Sequence, residues 1–298
     1  MTTLLRRRPT TRPRSQPARA DGFTLVELII ALSVMALVLV AVFSTFFRSQ
    51  HVGQTMSNAV NLRQGVRGAN QLLERELRMA GSGWGRIALD RYKPGGTDSI
   101  FAVNFGPGGA ALCDSVSLIG GWTAATTLRS VMVSPWSGLA VASATGFAVG
   151  DLVVVTNGAS AHMFQVTAVV ASPAQLTNAS SSTYNPPSGN NLANWPAGGY
   201  AIGAQVYRAS WVSYKIDSTT FRRSALVRRE FGGTPQLVAY DVSGFQVRYR
   251  MQDGSTTRSP TDLHMVDEIV PTLWTRLAER GRPTQVDSVW AAVRPRTF

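Results

Sequence analysis

The chain has 298 residues, 44% of them hydrophobic, and a formal net charge of +12. That much apolar content supports a substantial core and excludes a disordered chain. One cysteine, Cys113, excludes an intrachain disulfide, and His51, His162 and His264 stand in none of the common zinc-ligand spacings.

Residues 1–22 carry Arg6, Arg7, Arg8, Arg12, Arg14 and Arg19 against Asp21, a net +5 with no apolar run. The sequence then reads Gly22-Phe23-Thr24-Leu25-Val26-Glu27, and Leu28–Phe47 follow as twenty uncharged residues. As a helix, that stretch spans about 30 Å, the thickness of a bilayer's hydrocarbon core. Positive charge before a first membrane helix keeps that side cytoplasmic, so residues after Arg48 are expected outside. A carboxylate at the edge of such a segment costs free energy unless a cation partners it. A free amine made by cutting after Gly22 is the obvious candidate. A secretory signal places its apolar run before the cut; here the run comes after it and stays in the mature chain. Losing the leader lowers the formal charge to +7.

This arrangement closely resembles the class III leader of type IV pilins and type II secretion pseudopilins, through Gly22-Phe23-Thr24-Leu25-Val26-Glu27-Leu28. The resemblance implies that a prepilin peptidase cuts after Gly22 and methylates Phe23. It also implies that Glu27 offsets a neighbouring subunit's terminal amine during filament assembly. The implied setting is the bacterial inner membrane, with the head outside, and then a pilus or pseudopilus. Other major and minor pilins are the implied partners, through the helix. An ordinary signal anchor explains the span but not the Gly-to-Glu run. A transit peptide explains the leader but not the span, and the arginine triplet lies too far from the apolar run for a twin-arginine signal.

The helix is expected to continue to Ala80. No proline occurs between Pro17 and Pro94, and Val52, Met56, Ala59, Leu62, Val66, Ala69, Leu73, Leu77 and Ala80 recur in steps of three or four. Gly81 supplies the stop. A helix over 23–80 is roughly 85 Å long. Its half over 23–50 suits lipid or a filament core, and its half over 51–80 suits packing on a head. Gly53, Gly65 and Gly68 weaken it by up to about 1 kcal/mol each.

Beyond Gly81, short runs rich in β-branched and aromatic residues alternate with turn formers. Strands are expected at Ser99–Asn104, Asp114–Ile119, Leu128–Val133, Leu152–Thr156, Met163–Val170, Val206–Ile216, Thr220–Arg229, Gln236–Tyr240, Phe245–Arg250 and Val286–Val293. Ser172–Gly199, rich in Pro, Ser and Asn, is expected to be a long exposed loop. The fold class is α+β, a pilin-like long N-terminal helix on an antiparallel β-rich head at 81–298. The blocks Glu76–Gly81, Trp211–Ile216, Phe221–Arg223 and Leu237–Tyr249 resemble minor pilins of the PilW kind and pseudopilin J. Gly146–Val155 with Phe164–Thr167 looks like a small inserted β unit of PilW-like heads, placed at about 125–200.

No catalytic constellation emerges, so neither enzyme activity nor a cofactor is expected. The sequence has no nucleophile elbow and no phosphate-binding loop. Gly106–Gly109 is turn-like, and Asp267-Glu268 is expected to be an exposed loop pair. Cys113 reads as a small core residue. Arg222-Arg223 and Arg228-Arg229 read as a solvated strand face. No arginine cluster is interleaved with aromatics, so neither DNA nor surface binding draws support. Trp195, in the long loop, is the one tryptophan singled out as an adhesive contact.

Overall fold

A computed structural model describes residues 23–106, 115–121, 123–221, 223–260, 265–279 and 282–290. Gly22, Cys113, Trp122, Arg222 and His264 lie outside them. The chain divides into two units, Met1–Met56 and Ser57–Phe298.

Helix α1 runs unbroken from Leu25 to Met79, through Gly53, Gly65 and Gly68. In the first unit its apolar side chains are exposed. In the second unit Val66, Ala69, Leu73 and Leu77 are buried, which follows the expected period. The helix ends where Gly81 turns into the left-handed region at φ 78°. Its N–H donates to the Ile119 carbonyl at 2.9 Å, so the sheet helps to cap the helix end. A Cβ on Gly81 would sit 2.5 Å from the Gly85 carbonyl oxygen, which restricts the position to glycine.

The strands, in chain order, are β1 (Leu89–Lys93), β2 (Gly96–Ile100), β3 (Val103–Gly106), β4 (Ser115–Gly120), β5 (Ala125–Thr127), β6 (Leu139–Ala140), β7 (Leu152–Thr156), β8 (Ala161–Gln165), β9 (Ala168–Ala171), β10 (Ala174–Thr177), β11 (Gln205–Asp217), β12 (Ala225–Glu230), β13 (Gln236–Tyr240), β14 (Val242–Met251), β15 (Thr256–Thr257), β16 (Val266–Glu279) and β17 (Arg282–Trp290). The largest sheet has the order β13-β12-β11-β7-β8-β1-β2, with β4 and β5 also on β11 and β3 on β4. Pairing is antiparallel except between β1 and β8. A second sheet has the order β15-β14-β16-β17, and a small one β6-β10-β9. The pilin-like α+β expectation is met: one long helix and a head built from antiparallel sheets.

Three apolar cores organise the head. In the first, α1 meets Leu118, Val212, Tyr214 and Leu226 of the large sheet and Phe245, Ile269 and Leu273 of the second. The second core lies within residues 128–206, around Phe164, Tyr200, Val153 and Val155. The third lies on the opposite face of β7, around Leu152, Val154 and Met163. Because β7 is covered on both faces, Leu152–Thr156 is buried at every position and reads as a continuous apolar run.

Several strand expectations are corrected. Leu128–Val133 forms only two isolated bridges, Leu128 to Val141 and Met132 to Tyr200. β12 begins at Ala225 rather than Thr220, because the Asp217 carboxylate accepts from the Thr219 and Thr220 backbones and holds 217–220 as a turn. Those bonds hold the Asp217 carboxyl well below the usual range, led by the Thr220 hydroxyl. β16 was missed because charges and Pro271 interrupt its pattern. Pro271 stands in the β14 ladder opposite Val247. Asp267-Glu268 consequently lies in a strand, not a loop, with Glu268 paired to Arg250 at 3.4 Å. Ser172–Gly199 is not a long exposed loop. It contains β10, and Asn178, Asn185 and Leu192 within it are buried.

Candidate functional site

The amino end of α1 is built by a local sequence rule. Thr24 is the N-cap and Glu27 the third helical residue, a capping box. The Thr24 N–H and hydroxyl donate to Glu27 Oε2 at 3.0 and 2.9 Å. In return, the Glu27 N–H donates to Thr24 Oγ1 at 3.3 Å. The first intrahelical bond follows, Leu28 N–H to the Thr24 carbonyl at 3.2 Å. A carboxylate in the first turn is also favoured by the helix dipole. Sequence reading treated Glu27 as an acid awaiting a cation; the structure adds that its carboxylate already starts the helix. Phe23 precedes the cap and is 86% exposed.

The segment that follows is long and apolar enough to cross a membrane, and none of its most apolar window is buried. Its hydroxyls are accounted for internally. Ser33 donates to the Ile29 carbonyl at 2.8 Å, and Ser44 and Thr45 donate to the Ala41 carbonyl at 2.8 and 2.9 Å. In hydrocarbon, a polar group without a partner costs several kcal/mol, on the order of a lost hydrogen bond. These three residues therefore leave the span as apolar in effect as its neighbours.

Residues 17–43 match the family model described as "Prokaryotic N-terminal methylation motif". The amino end carries a pilin-type methylation motif. The match supports a membrane-anchored type IV pilin-like or pseudopilin-like protein, of the kind that a prepilin peptidase processes. No curated protein and no solved structure matches the chain.

A second constellation, missed by sequence reading, fixes α1 to the head within the second unit. Glu76 is 6% exposed. Arg228 Nε on β12 donates to Glu76 Oε1 at 2.9 Å, and the Tyr214 hydroxyl on β11 donates to Oε2 at 2.5 Å. Arg228 Nη1 also reaches Glu230 at 2.8 Å. Tyr214 and Arg228 are register partners, so both project from one face of the sheet toward the helix. Burial first, then the Glu76 carboxylate, push the Tyr214 hydroxyl well above its ordinary value, so it remains a donor. The usable signal was a glutamate on the mainly apolar buried face of the Val66–Leu77 stripe, which also holds Asn70. Arg228 is therefore a partner of the helix, not part of a solvated strand face.

The remaining candidates separate. Among the described residues, no group of three metal-ligating side chains assembles. Trp195 is half-buried: its Nε1 donates to the Val133 carbonyl at 3.0 Å, and its ring packs edge-on against Phe164 and Tyr200. These contacts tie the loop that carries Trp195 to the core beneath it.

Proposed function

We propose that this chain is a minor type IV pilin of the PilW-like kind, a structural subunit rather than an enzyme, and one that works without a cofactor. A prepilin peptidase removes residues 1–22 after Gly22 and methylates Phe23. The helix over 23–80 holds the protein in the inner membrane and is later extracted into a filament with other pilins. Residues 81–298, with the inserted β unit at about 125–200, form the head outside the cytoplasm. Glu27 sets register by offsetting a neighbour's terminal amine.

The observation that carries this reading is the registration of the methylation motif with an uncharged helix whose first turn holds Glu27. Packing of apolar helix surfaces supplies the driving force for assembly. A bulky head is awkward to repeat along a narrow fibre, which favours a low-copy place near the tip or in an initiation complex. The blocks Glu76–Gly81 and Trp211–Ile216, which between them supply Glu76 and Tyr214, support the pilin-like pair, and the inserted β unit with Gly146–Val155 and Phe164–Thr167 favours the PilW-like reading. Pseudopilin J shares both blocks and is the second reading; pilus genes beside this one favour the first, a secretion operon the second.

The test is intact mass and N-terminal sequencing of membrane-derived protein, with and without the prepilin peptidase. A mature chain beginning at N-methyl-Phe23, and absent without the peptidase, is expected. An uncut chain from Met1 in both strains would overturn the reading and leave a signal-anchored head with a binding or enzymatic role. Glu27→Ala should insert normally and assemble few filaments; normal filament numbers would remove the charge-pairing step.

A further inference from the structure

The only described histidine in the head lies at the centre of the inserted β unit, fully buried. His162 is on β8, with Val155 of β7 as its register partner on one side and Asp90 of β1 on the other. Ser99 of β2 is in turn the partner of Asp90 and donates to its carboxylate. One row of side chains therefore crosses the sheet as Val155, His162, Asp90, Ser99.

The segment 178–200 closes over this row. The His162 Nε2 atom lies 2.7 Å from the Ala193 carbonyl oxygen, and Nδ1 lies 2.6 Å from the Tyr200 hydroxyl. A carbonyl only accepts, so the hydrogen must be on Nε2, and Nδ1 then accepts from Tyr200. Asn194 Nδ2 donates to Asp90 Oδ2 at 2.9 Å, and Trp195 packs edge-on against the imidazole at 4.8 Å. Residues 193, 194, 195 and 200 thus all fasten at or beside one neutral ring.

We propose that His162 is a pH-operated latch that holds the 178–200 segment closed over the core of the inserted β unit while its imidazole is neutral, and loosens it when protonated. A proton on Nδ1 would turn two donors toward each other. Tyr200 would have to rotate its hydroxyl and find another acceptor in a buried site. The titratable groups facing the ring are Asp90 from β1 and Tyr200 from the closing segment. Tyr92, two residues beyond Asp90 on β1, packs against the same core, and the Val155, Phe164 and Trp195 side chains there do not titrate. Arg91 and Lys93, further along β1, are paired with Asp98 instead.

Burial disfavours the cation and is the largest effect; the Ala193 carbonyl, and then Asp90 at 3.9 Å from Nε2, favour the cation, and the folded imidazole holds its proton less tightly than a free one, whose value is 6.5. The open segment then binds more protons than the closed one. Closure is therefore fully present above 6.5 and weakens as pH falls from there toward the folded value.

The test is amide hydrogen exchange on the full chain in detergent micelles at about pH 7.5 and about pH 5, with rates normalised to those of the denatured chain. Protection over 185–200 should fall about tenfold or more at the lower pH, while β12 is unchanged. His162→Gln keeps one donor and one acceptor but cannot titrate, and its protection should not change with pH. Unchanged protection in the natural chain, or an equal fall in the variant, would overturn the latch. Should His162→Gln not fold, the imidazole is titrated by NMR in the natural chain. Loss of protection must then track proton uptake by His162, and an imidazole titrating at its free value would overturn the proposal.

Discussion

Helix α1 is one element in two environments, and its two regions differ in what their apolar residues meet. Between Leu28 and Phe47 the large apolar side chains are 44 to 72% exposed. Between Val66 and Leu77 the apolar face is almost completely buried, with Leu73 at 0%. Helix geometry is the same in both; the arrangement of the side chains around it is not. A helix apolar all round has no single partner face and is at home in lipid or among other helices. A helix apolar on one stripe is committed to its own head. Charge is placed accordingly: Glu27 caps the first region at its outer end, whereas Glu76 is paired inside the second.

The largest effect should come from breaking the second region's polar clamp. Glu76→Ala leaves the Tyr214 hydroxyl buried without its acceptor and Arg228 with only its exposed ion-pair partner Glu230, and should destabilise the head by about 3 kcal/mol or more, read by chemical denaturation of the full chain. Leu73→Ala should cost about 2–5 kcal/mol by opening a cavity in the first core. Leu32→Ala, in the first region, should leave head stability unchanged, and equal losses for the two would erase the distinction. Leu37→Asp should impair membrane insertion by about 2.5–3.5 kcal/mol, measured by glycosylation mapping, without changing head stability. The smallest effect belongs to Thr24→Ala, which removes the cap and should cost about 1 kcal/mol of local helix stability, visible as fraying of residues 25–28 by NMR.

The first helix was legible in advance for local reasons. The unbroken uncharged run and the three-to-four spacing each depend on residues within a turn or two of one another; the Thr24–Glu27 cap is equally local, but it emerged only in the structure. β7, β11 and β13 were legible because their apolar or alternating runs are long and bounded by turn residues. β1 was not, because Leu89-Asp90-Arg91-Tyr92-Lys93 mixes charge with apolar residues, and it becomes a strand by pairing with both β2 and β8. The segment 172–199 has the composition of a free loop. It is ordered because its amides and Trp195 find partners far away, among them the Pro135 and Val133 carbonyls.

The candidate site divides along the same line. Glu27 stood out as a lone acid at the edge of an uncharged run, and Phe23 through the resemblance of the contiguous Gly22–Leu28 stretch to a pilin leader. Glu76 and Arg228 are 152 residues apart, and His162 is separated from Asp90 by the length of several strands. What brings each pair together is register: Tyr214 opposite Arg228 beneath the helix, and Asp90 beside His162 in a parallel pairing. The sequence by itself determined where the helix begins, which stretch suits a membrane and which face meets the head, since these follow from charge and a period of 3.6. Only the tertiary structure decided which buried charges are paired and which histidine is enclosed, since strand order is set by packing over the whole domain and no short window of residues encodes it.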